Sequence, residues 1–143
     1  MALTETQADQ IAALLNERNE LTVKYTRKRV LDHEDNYLCR LSETEEVIAC
    51  VEVKKVQWYQ TEILHLTVAA SHLRLGHAKA LLSEAERIAR ADGARLLQCT
   101  IRAGNTESRG LFEGFGFVHV GTFLNQGSGN NVGVFQKILS NAR

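Results

Sequence analysis

Apolar residues follow two periods along this chain, and the switch between the two periods predicts a mixed α/β fold. Ala8, Ile11 and Leu15 recur at the helical period after Thr6 and Asp9, a pair with capping-box character. From residue 37 onward apolar and polar residues alternate, as they do in strands. The pattern predicts, in chain order, a helix beginning near residue 6, a short helix over 23–31, strands over 37–41, 47–56 and 62–68, a helix carrying Ala78 to Ala89, a strand over 96–101, a helix carrying Ser108 to Phe115, and strands over 117–123 and 132–139.

The most regular helix joins two predicted strands and therefore predicts how the sheet is connected. It has a full apolar stripe and ends at Asp92-Gly93, as a helix with a glycine after its last turn does. A strand–helix–strand crossover requires parallel strands, whereas the three strands before it form an antiparallel meander. We expect an α/β fold, more exactly an α+β mixed sheet, in which the meander is followed by β-α-β-α-β-β. Its length of 143 residues predicts a single domain over 1–143.

Composition and charge exclude several classes of partner. Seventeen basic residues balance seventeen acidic ones, so no net field attracts nucleic acid or an anionic membrane. The three cysteines, Cys39, Cys50 and Cys99, show no metal-binding spacing, and two of them lie in apolar runs. We therefore expect no metal and a reduced, cytoplasmic setting, which the absence of a signal-peptide pattern at the start also favours.

The first candidate for chemistry is the loop over 71–78, which leads from a strand into a helix. A helix start exposes unpaired N–H groups and the positive end of the helix dipole, which suits a phosphate. Gly76 and Ala78 lack bulk, so a ligand can approach the backbone, and Arg74 and Lys79 add positive charge. The alternative is a contact between small residues of helix and sheet. Walker and GxGxxG motifs are absent.

The second candidate is the segment over 105–117, with Asn105 followed by Leu111-Phe112-Glu113 and Gly116-Phe117. Together with the loop before Lys79-Ala80-Leu81-Leu82, this segment resembles the GNAT superfamily of acyl-coenzyme A-dependent N-acyltransferases. The resemblance covers about residues 47–139. Either motif alone is modest evidence, but both occur in the right order with the intervening helix and strand.

The resemblance implies a set of residues that bind acetyl-coenzyme A (acetyl-CoA). Backbone groups at a strand end are expected to pair with the pantetheine arm, and the helix-start loop to hold the pyrophosphate. The Asn105 side chain is expected to hydrogen-bond the coenzyme, with Ser108 and Phe112 near its thiol. The implied residues of the strand end and the loop are Leu66, Thr67, Val68, Leu73, Arg74, Leu75, Gly76, His77, Ala78 and Lys79.

Three features depart from the family pattern. Leu73 stands where the family has Gln or Arg, so Arg74 is the substitute phosphate contact. Phe112 stands where many members carry a tyrosine that protonates the leaving thiolate, and Tyr25, Tyr37 and Tyr59 are alternative acids. The usual first strand is not evident, which leaves a homodimer through that edge as an open alternative.

The resemblance also suggests a general base. Glu62 lies six residues before Val68, the spacing of the base in the histone-acetylating branch of the family. Deprotonating an amine of pKa about 10.4 at pH 7 costs roughly 4–5 kcal/mol, so the reaction needs help from a base or, as the alternative, from a water chain to bulk solvent. His65 is the second candidate. Trp58 and Tyr59 either wall the acceptor pocket or are surface aromatics of a turn.

These observations predict an N-acetyltransferase that moves an acetyl group from acetyl-CoA to a primary amine of a small molecule or peptide by direct attack. The alternatives are another acyl-CoA donor, a coenzyme-binding module without turnover, and a domain for protein interaction alone. The acceptor amine is left open.

Overall fold

The computed structural model describes residues 2–139, which form six strands and four α-helices. The helices are α1 (Glu5–Arg18), α2 (Arg27–Asp32), α3 (His77–Ala91) and α4 (Thr106–Gly114), and short 3₁₀ turns cover Glu34–Asn36 and Ala70–His72. The strands are β1 (Tyr37–Leu41), β2 (Val47–Gln57), β3 (Gln60–Val68), β4 (Leu96–Arg102), β5 (Val118–Asn125) and β6 (Asn130–Ile138).

The strands make one mixed sheet in the order β1-β2-β3-β4-β6-β5. β3 and β4 are parallel, with Glu62 opposite Gln98, so the predicted crossover through α3 is confirmed. β6 inserts between β4 and β5 and is antiparallel to both. The predicted α/β fold with a mixed sheet is therefore confirmed.

The chain divides into two compact units, and the first comprises the residues up to Val53 together with His65–Ala85. Its core is built where α1, α2 and the first strands bury their apolar faces, with Ile11, Leu15, Val30 and Cys50 almost fully enclosed. One face of α1 is buried and the opposite face is exposed, and this explains why apolar residues recur in its sequence at the helical period.

The second unit comprises Lys54–Leu64 and the residues from Glu86 onward. On β4 the side chains of Leu97, Cys99 and Ile101 are buried, and Gln98 between them is half-buried, which is the alternation that a strand requires. β5 and β6 are joined by a hydrogen-bonded turn in which Asn125 Oδ1 accepts from the N–H groups of Gly127 and Ser128.

Two expectations about helix starts were wrong. The capping box of α1 uses Thr4 and Gln7, not Thr6 and Asp9: Gln7 N–H donates to Thr4 Oγ1 at 3.0 Å, and Gln7 Oε1 accepts from Thr4 N–H at 3.1 Å. The second helix begins at Arg27 rather than residue 23, because the Thr26 hydroxyl caps the N–H of Arg29. Thr4 and Thr6 near the first helix, and Thr22 and Thr26 before the second, are all suitable cap types, and only the backbone conformation selects one of each pair.

Thr4→Ala should lower the free energy of unfolding by about 1 kcal/mol, the usual cost of losing an N-cap. Thr6→Ala is the matched control, since Thr6 is an exposed residue inside the first turn, where alanine has the higher helix propensity. Urea denaturation of both variants checks the assignment. Equal losses, or a larger loss for Thr6→Ala, would contradict the cap at Thr4.

Candidate active site

The last three residues of β3 come directly after a residue with an unusual backbone conformation. His65 has a φ of 51°, in the left-handed region that a non-glycine residue rarely adopts. Thr67 Oγ1 donates to the His65 carbonyl at 2.8 Å and accepts from Asn19 Nδ2 at 3.1 Å, while Arg18 Nε donates to the Val68 carbonyl at 3.2 Å. The end of α1 therefore holds the strand end that includes Leu66, Thr67 and Val68.

The loop after β3 has two further left-handed residues just before α3. Arg74 has a φ of 64° and Gly76 a φ of 89°. The first backbone hydrogen bond of α3 joins Ala80 N–H to the Gly76 carbonyl, so the N–H groups of His77, Ala78 and Lys79 precede the helical ladder. A Cβ placed on Gly76 would meet nothing within 4 Å. The backbone here is open to a ligand, and its residues fit a phosphate group.

The charge around this loop includes a residue that the sequence analysis missed. Arg40, on β1, donates from Nε to His77 Nδ1 at 3.1 Å. Partial desolvation, together with the charges of Arg40 and His72, lowers the pKa of His77. Because His77 accepts through Nδ1, its ring stays neutral, and the positive charge comes from Arg40 with the exposed Arg74 and Lys79. Leu73 and Leu75 contribute backbone only, and Leu75 is 66% exposed.

The start of α4 lies in the second unit. Asn105 is the N-cap of this helix, and its Oδ1 accepts from the Ser108 N–H at 3.2 Å. The cap leaves the amide Nδ2 as the donor for any ligand. Phe112 is buried, and its ring meets Phe117 edge to face with 5.0 Å between the centroids. Phe112 is therefore a packing residue without a proton to donate.

Glu62, also in the second unit, belongs to a ladder of polar side chains across three strands. Gln98 Nε2 donates to Glu62 Oε1 at 3.2 Å, and Gln136 Nε2 donates to Gln98 Oε1 at 2.7 Å. The ladder follows the strand register, in which Gln98 lies opposite both partners. Burial raises the pKa of Glu62 against the opposing hydrogen bonds and the charge of Lys54, so this carboxylate is more basic than an exposed one.

His65 belongs to the first unit and has different surroundings. Its ring meets Tyr25 edge to face at 5.7 Å. The pKa of His65 is lowered, chiefly because protein atoms displace water from the ring, although part of the residue stays exposed. The ring is therefore neutral near pH 7 and can accept a proton. Glu52 also acts on this ring, and the sequence analysis missed it, although it is the one charged residue in the apolar run 47–53.

Trp58 and Tyr59 pack on each other at the turn between β2 and β3. Their ring centroids are 5.2 Å apart, and the Arg95 guanidinium lies 5.3 Å from the Trp58 ring centroid. Trp58 is largely exposed, and the Tyr59 carbonyl accepts from the N–H groups of Arg95 and Leu96. This arrangement is that of aromatic residues in a turn, and a role in an acceptor pocket stays a prediction.

The two buried cysteines, Cys50 and Cys99, are not placed as nucleophiles. Burial raises the pKa of Cys99 and of Cys50 to about 12, with a further contribution from Glu62 at Cys99 and from Cys39 at Cys50. Both therefore remain thiols at neutral pH. Within residues 2–139 no group of three or more His, Cys, Asp or Glu side chains could hold a metal ion. The same residues include no helix long and apolar enough to cross a membrane.

Solved structures of N-acetyltransferases share this fold. Ard1 from Thermoplasma volcanium is 17% identical with a TM-score of 0.86, covering 99% of this chain and 97% of its own. The putative acetyltransferase yncA from Salmonella typhimurium, determined with its cofactor acetyl-CoA, is 16% identical with a TM-score of 0.84, covering 100% and 94%. The ribosomal-protein-alanine N-acetyltransferase from Brucella melitensis is 20% identical with a TM-score of 0.81, covering 97% and 98%. At these identities the likeness establishes the fold.

The family follows from the sequence. The model of the acetyltransferase (GNAT) family matches residues 3–117, so this chain belongs to that family, whose chemistry is acyl transfer. No curated protein matches the chain in sequence. The predicted family is thus confirmed, whereas the predicted site residues stay predictions.

Gly76→Ala should abolish the stabilisation of the fold by acetyl-CoA, because a methyl group would enter the open space over the loop backbone. At about 100 times its dissociation constant a ligand stabilises by roughly 2.7 kcal/mol, or several degrees in melting temperature for a domain of this size. Gly93→Ala is the matched control. Gly93 has a φ of 83° and is equally open, so both variants bear the same left-handed strain of about 1–2 kcal/mol.

Thermal melts with and without acetyl-CoA measure both effects. We expect wild type and Gly93→Ala to show the ligand shift and Gly76→Ala to lack it. A full shift in Gly76→Ala would mean that the phosphate lies elsewhere.

Proposed function

We propose that this protein transfers an acetyl group from acetyl-CoA to a primary amine of a small molecule or peptide. The observation that carries the proposal is the open loop at Arg74–Gly76 and the unpaired N–H groups at the start of α3, in a chain of the acetyltransferase family. Acetyl-CoA, as co-substrate, supplies an activated acetyl thioester. Arg74, Lys79 and the amides of the loop would hold its phosphates.

Peptide amines belong among the acceptors because of two solved relatives. One is the Brucella enzyme, whose name gives the alanine of a ribosomal protein as its acceptor, and another is a NatC complex bound to a Gag peptide and CoA. The balanced charge of this chain favours neither a strongly basic nor a strongly acidic acceptor surface. We further propose that residues 1–143 form a single catalytic domain that acts in the cytoplasm. In this proposal the domain needs no metal and binds neither nucleic acid nor membrane. It acts as a monomer or, as the alternative, as a homodimer.

An amine panel with thiol detection tests the function. The panel contains small amines, lysine peptides and peptides with free amino termini, each incubated with acetyl-CoA. Release of CoA with at least one amine supports the proposal. Binding of acetyl-CoA without release for any amine would favour a coenzyme-binding module. Competition by propionyl- or succinyl-CoA identifies the preferred acyl donor.

We expect the acetyl group to pass directly to the amine, without an acyl-enzyme, because the two buried thiols stay protonated. Incubation with acetyl-CoA in the absence of amine should leave the intact mass of the protein unchanged. Cys99→Ala should retain wild-type kcat within about threefold, since its role is packing. Accumulation of a protein acetylated at one cysteine, abolished by substituting that cysteine, would contradict direct attack.

Phe112→Tyr should raise kcat by at most about tenfold. A thiol of pKa near 8.5 leaves as thiolate at pH 7 at a cost of only about 2 kcal/mol, so little remains for a general acid to supply. Phe112→Leu is the control without a hydroxyl and should mainly raise KM for the coenzyme through lost packing. A gain of a hundredfold in Phe112→Tyr, or a hundredfold loss of kcat in Tyr25→Phe, Tyr37→Phe or Tyr59→Phe with coenzyme binding intact, would show that an acid is needed.

A further inference from the structure

The first unit contains a buried carboxylate that has no part in the coenzyme binding that we propose. Glu52, on β2, is only 8% exposed. The Tyr37 hydroxyl donates to its Oε1 at a long 3.4 Å. None of the ion pairs formed within residues 2–139 includes Glu52. Burying a carboxylate without a cation is costly, so a group that becomes positive beside it would be stabilised.

Tyr25 is the aromatic residue whose ring meets the ring of His65. Asn16 fixes its backbone, since Asn16 Oδ1 accepts from the Tyr25 N–H at 2.8 Å and Asn16 Nδ2 donates to its carbonyl at 3.0 Å. Glu52 and His65 lie on the neighbouring strands β2 and β3, which are joined beyond them by the hydrogen bond from Ala69 N–H to the Ile48 carbonyl at 2.8 Å. Burial raises the pKa of the Tyr25 and Tyr37 phenols, so both stay neutral. The Arg29 guanidinium lies over the Tyr25 ring, with its Cζ 4.5 Å from the ring centroid.

His65 is the exposed member of the same group of side chains. Its left-handed backbone is held by the hydrogen bond from Thr67 Oγ1 to its carbonyl, and its ring stands at 83° to the Tyr25 ring. The charged and titratable groups that act on this part of the unit are Glu52 on β2, Arg29 on α2, Tyr25 before α2, Tyr37 on β1 and Cys50 on β2. Only Glu52 among them favours the protonated ring, which Arg29 and desolvation oppose.

We infer that His65 accepts the proton of the acceptor ammonium group, and that Glu52, held by Tyr37, is the positioning residue that stabilises the resulting imidazolium. The inference rests on the proposed function. The ammonium group loses two protons in all. One passes to His65 and then to water, the amine nitrogen bonds to the acetyl carbon as the C–S bond breaks, and the second proton neutralises the thiolate that leaves with the electron pair.

The pairing has a physical reason. A histidine ring that is desolvated is neutral at pH 7 and ready to accept a proton, but the same desolvation makes the imidazolium unfavourable. An anion nearby in a low-dielectric setting offsets that cost, and it acts more strongly there than in water. The buried Glu52 supplies the anion, and the exposed His65 keeps contact with solvent for release of the proton.

NMR titration of the His65 ring tests the pairing without any activity measurement. Glu52→Gln keeps the shape and the acceptor for the Tyr37 hydroxyl but removes the charge, so the His65 midpoint should fall. Glu46→Gln is the matched control, because it removes an equal charge from an exposed position just before the same strand and should leave the midpoint unchanged. An unchanged midpoint in Glu52→Gln, or equal shifts in the two variants, would overturn the role of Glu52.

The pH profile of kcat/KM tests His65 as the base. His65→Asn tolerates the left-handed backbone but cannot act as the base, so it should lose about 10²–10⁴-fold at pH 7 and lack the acid limb that His65 causes. Glu52→Gln should lose at least about tenfold in the plateau and have its acid limb at lower pH, since its histidine is a weaker base. Loss of the limb in Glu62→Gln, with the limb retained in His65→Asn, would assign the base to Glu62 and overturn the inference.

The acetyl-CoA melting shift separates this inference from the proposed function. If the shift and CoA release are present in wild type but His65→Asn keeps full kcat/KM, the inference alone fails. If neither wild type nor any variant binds acetyl-CoA, the proposed function fails, while the titration of His65 still decides its pairing with Glu52.

Discussion

The candidate site depends on left-handed backbone at three points between the middle of β3 and the start of α3. Two of the three residues, His65 and Arg74, are not glycine, and such conformations cost of order 1–3 kcal/mol each unless the surroundings hold them in place. At His65 the surroundings are visible: Thr67 bonds its carbonyl, and Asn19 in turn holds Thr67. Strain of this kind is typical of sites where backbone must face a ligand, and the open Gly76 lies eight positions beyond Val68, the end of the strand that α1 holds.

The buried polar side chains of both units have hydrogen-bond partners. Among residues 2–139 no buried side-chain nitrogen or oxygen lacks a hydrogen-bond partner. Glu62 and Glu52 nevertheless differ in kind. Glu62 receives a hydrogen bond from the Gln98 amide, which Gln136 supports in turn, whereas the bond that Glu52 receives from Tyr37 is a long one of 3.4 Å. The negative charge of Glu52 is therefore less compensated by hydrogen bonds than that of Glu62, and this is why our inference assigns Glu52 to stabilise a positive group.

Sequence periodicity predicted the order of helices and strands because it reports which face of each element is buried. The strand over 37–41 and the parallel crossover through α3 depend on local pattern and on glycine at Gly93, so both were visible in the chain. The cap of α1 was not, because Thr4 and Thr6 are the same residue type two positions apart, and only the extended backbone at Thr4 distinguishes them.

The motifs around 71–79 and 105–117 identified the family because they are contiguous in sequence, and the family model that matches residues 3–117 confirms it. The surroundings of the candidate bases could not be predicted in this way. Tyr25 and His65 lie 40 positions apart, Tyr37 and Glu52 fifteen, and Arg40 and His77 thirty-seven. Periodicity assigns each of these residues to a face of its own element, but contact between side chains of distant elements depends on how the chain packs. The sequence by itself therefore determined the class of protein, and only the tertiary structure decided which side chains surround each candidate base, because packing brings together residues that are distant along the chain.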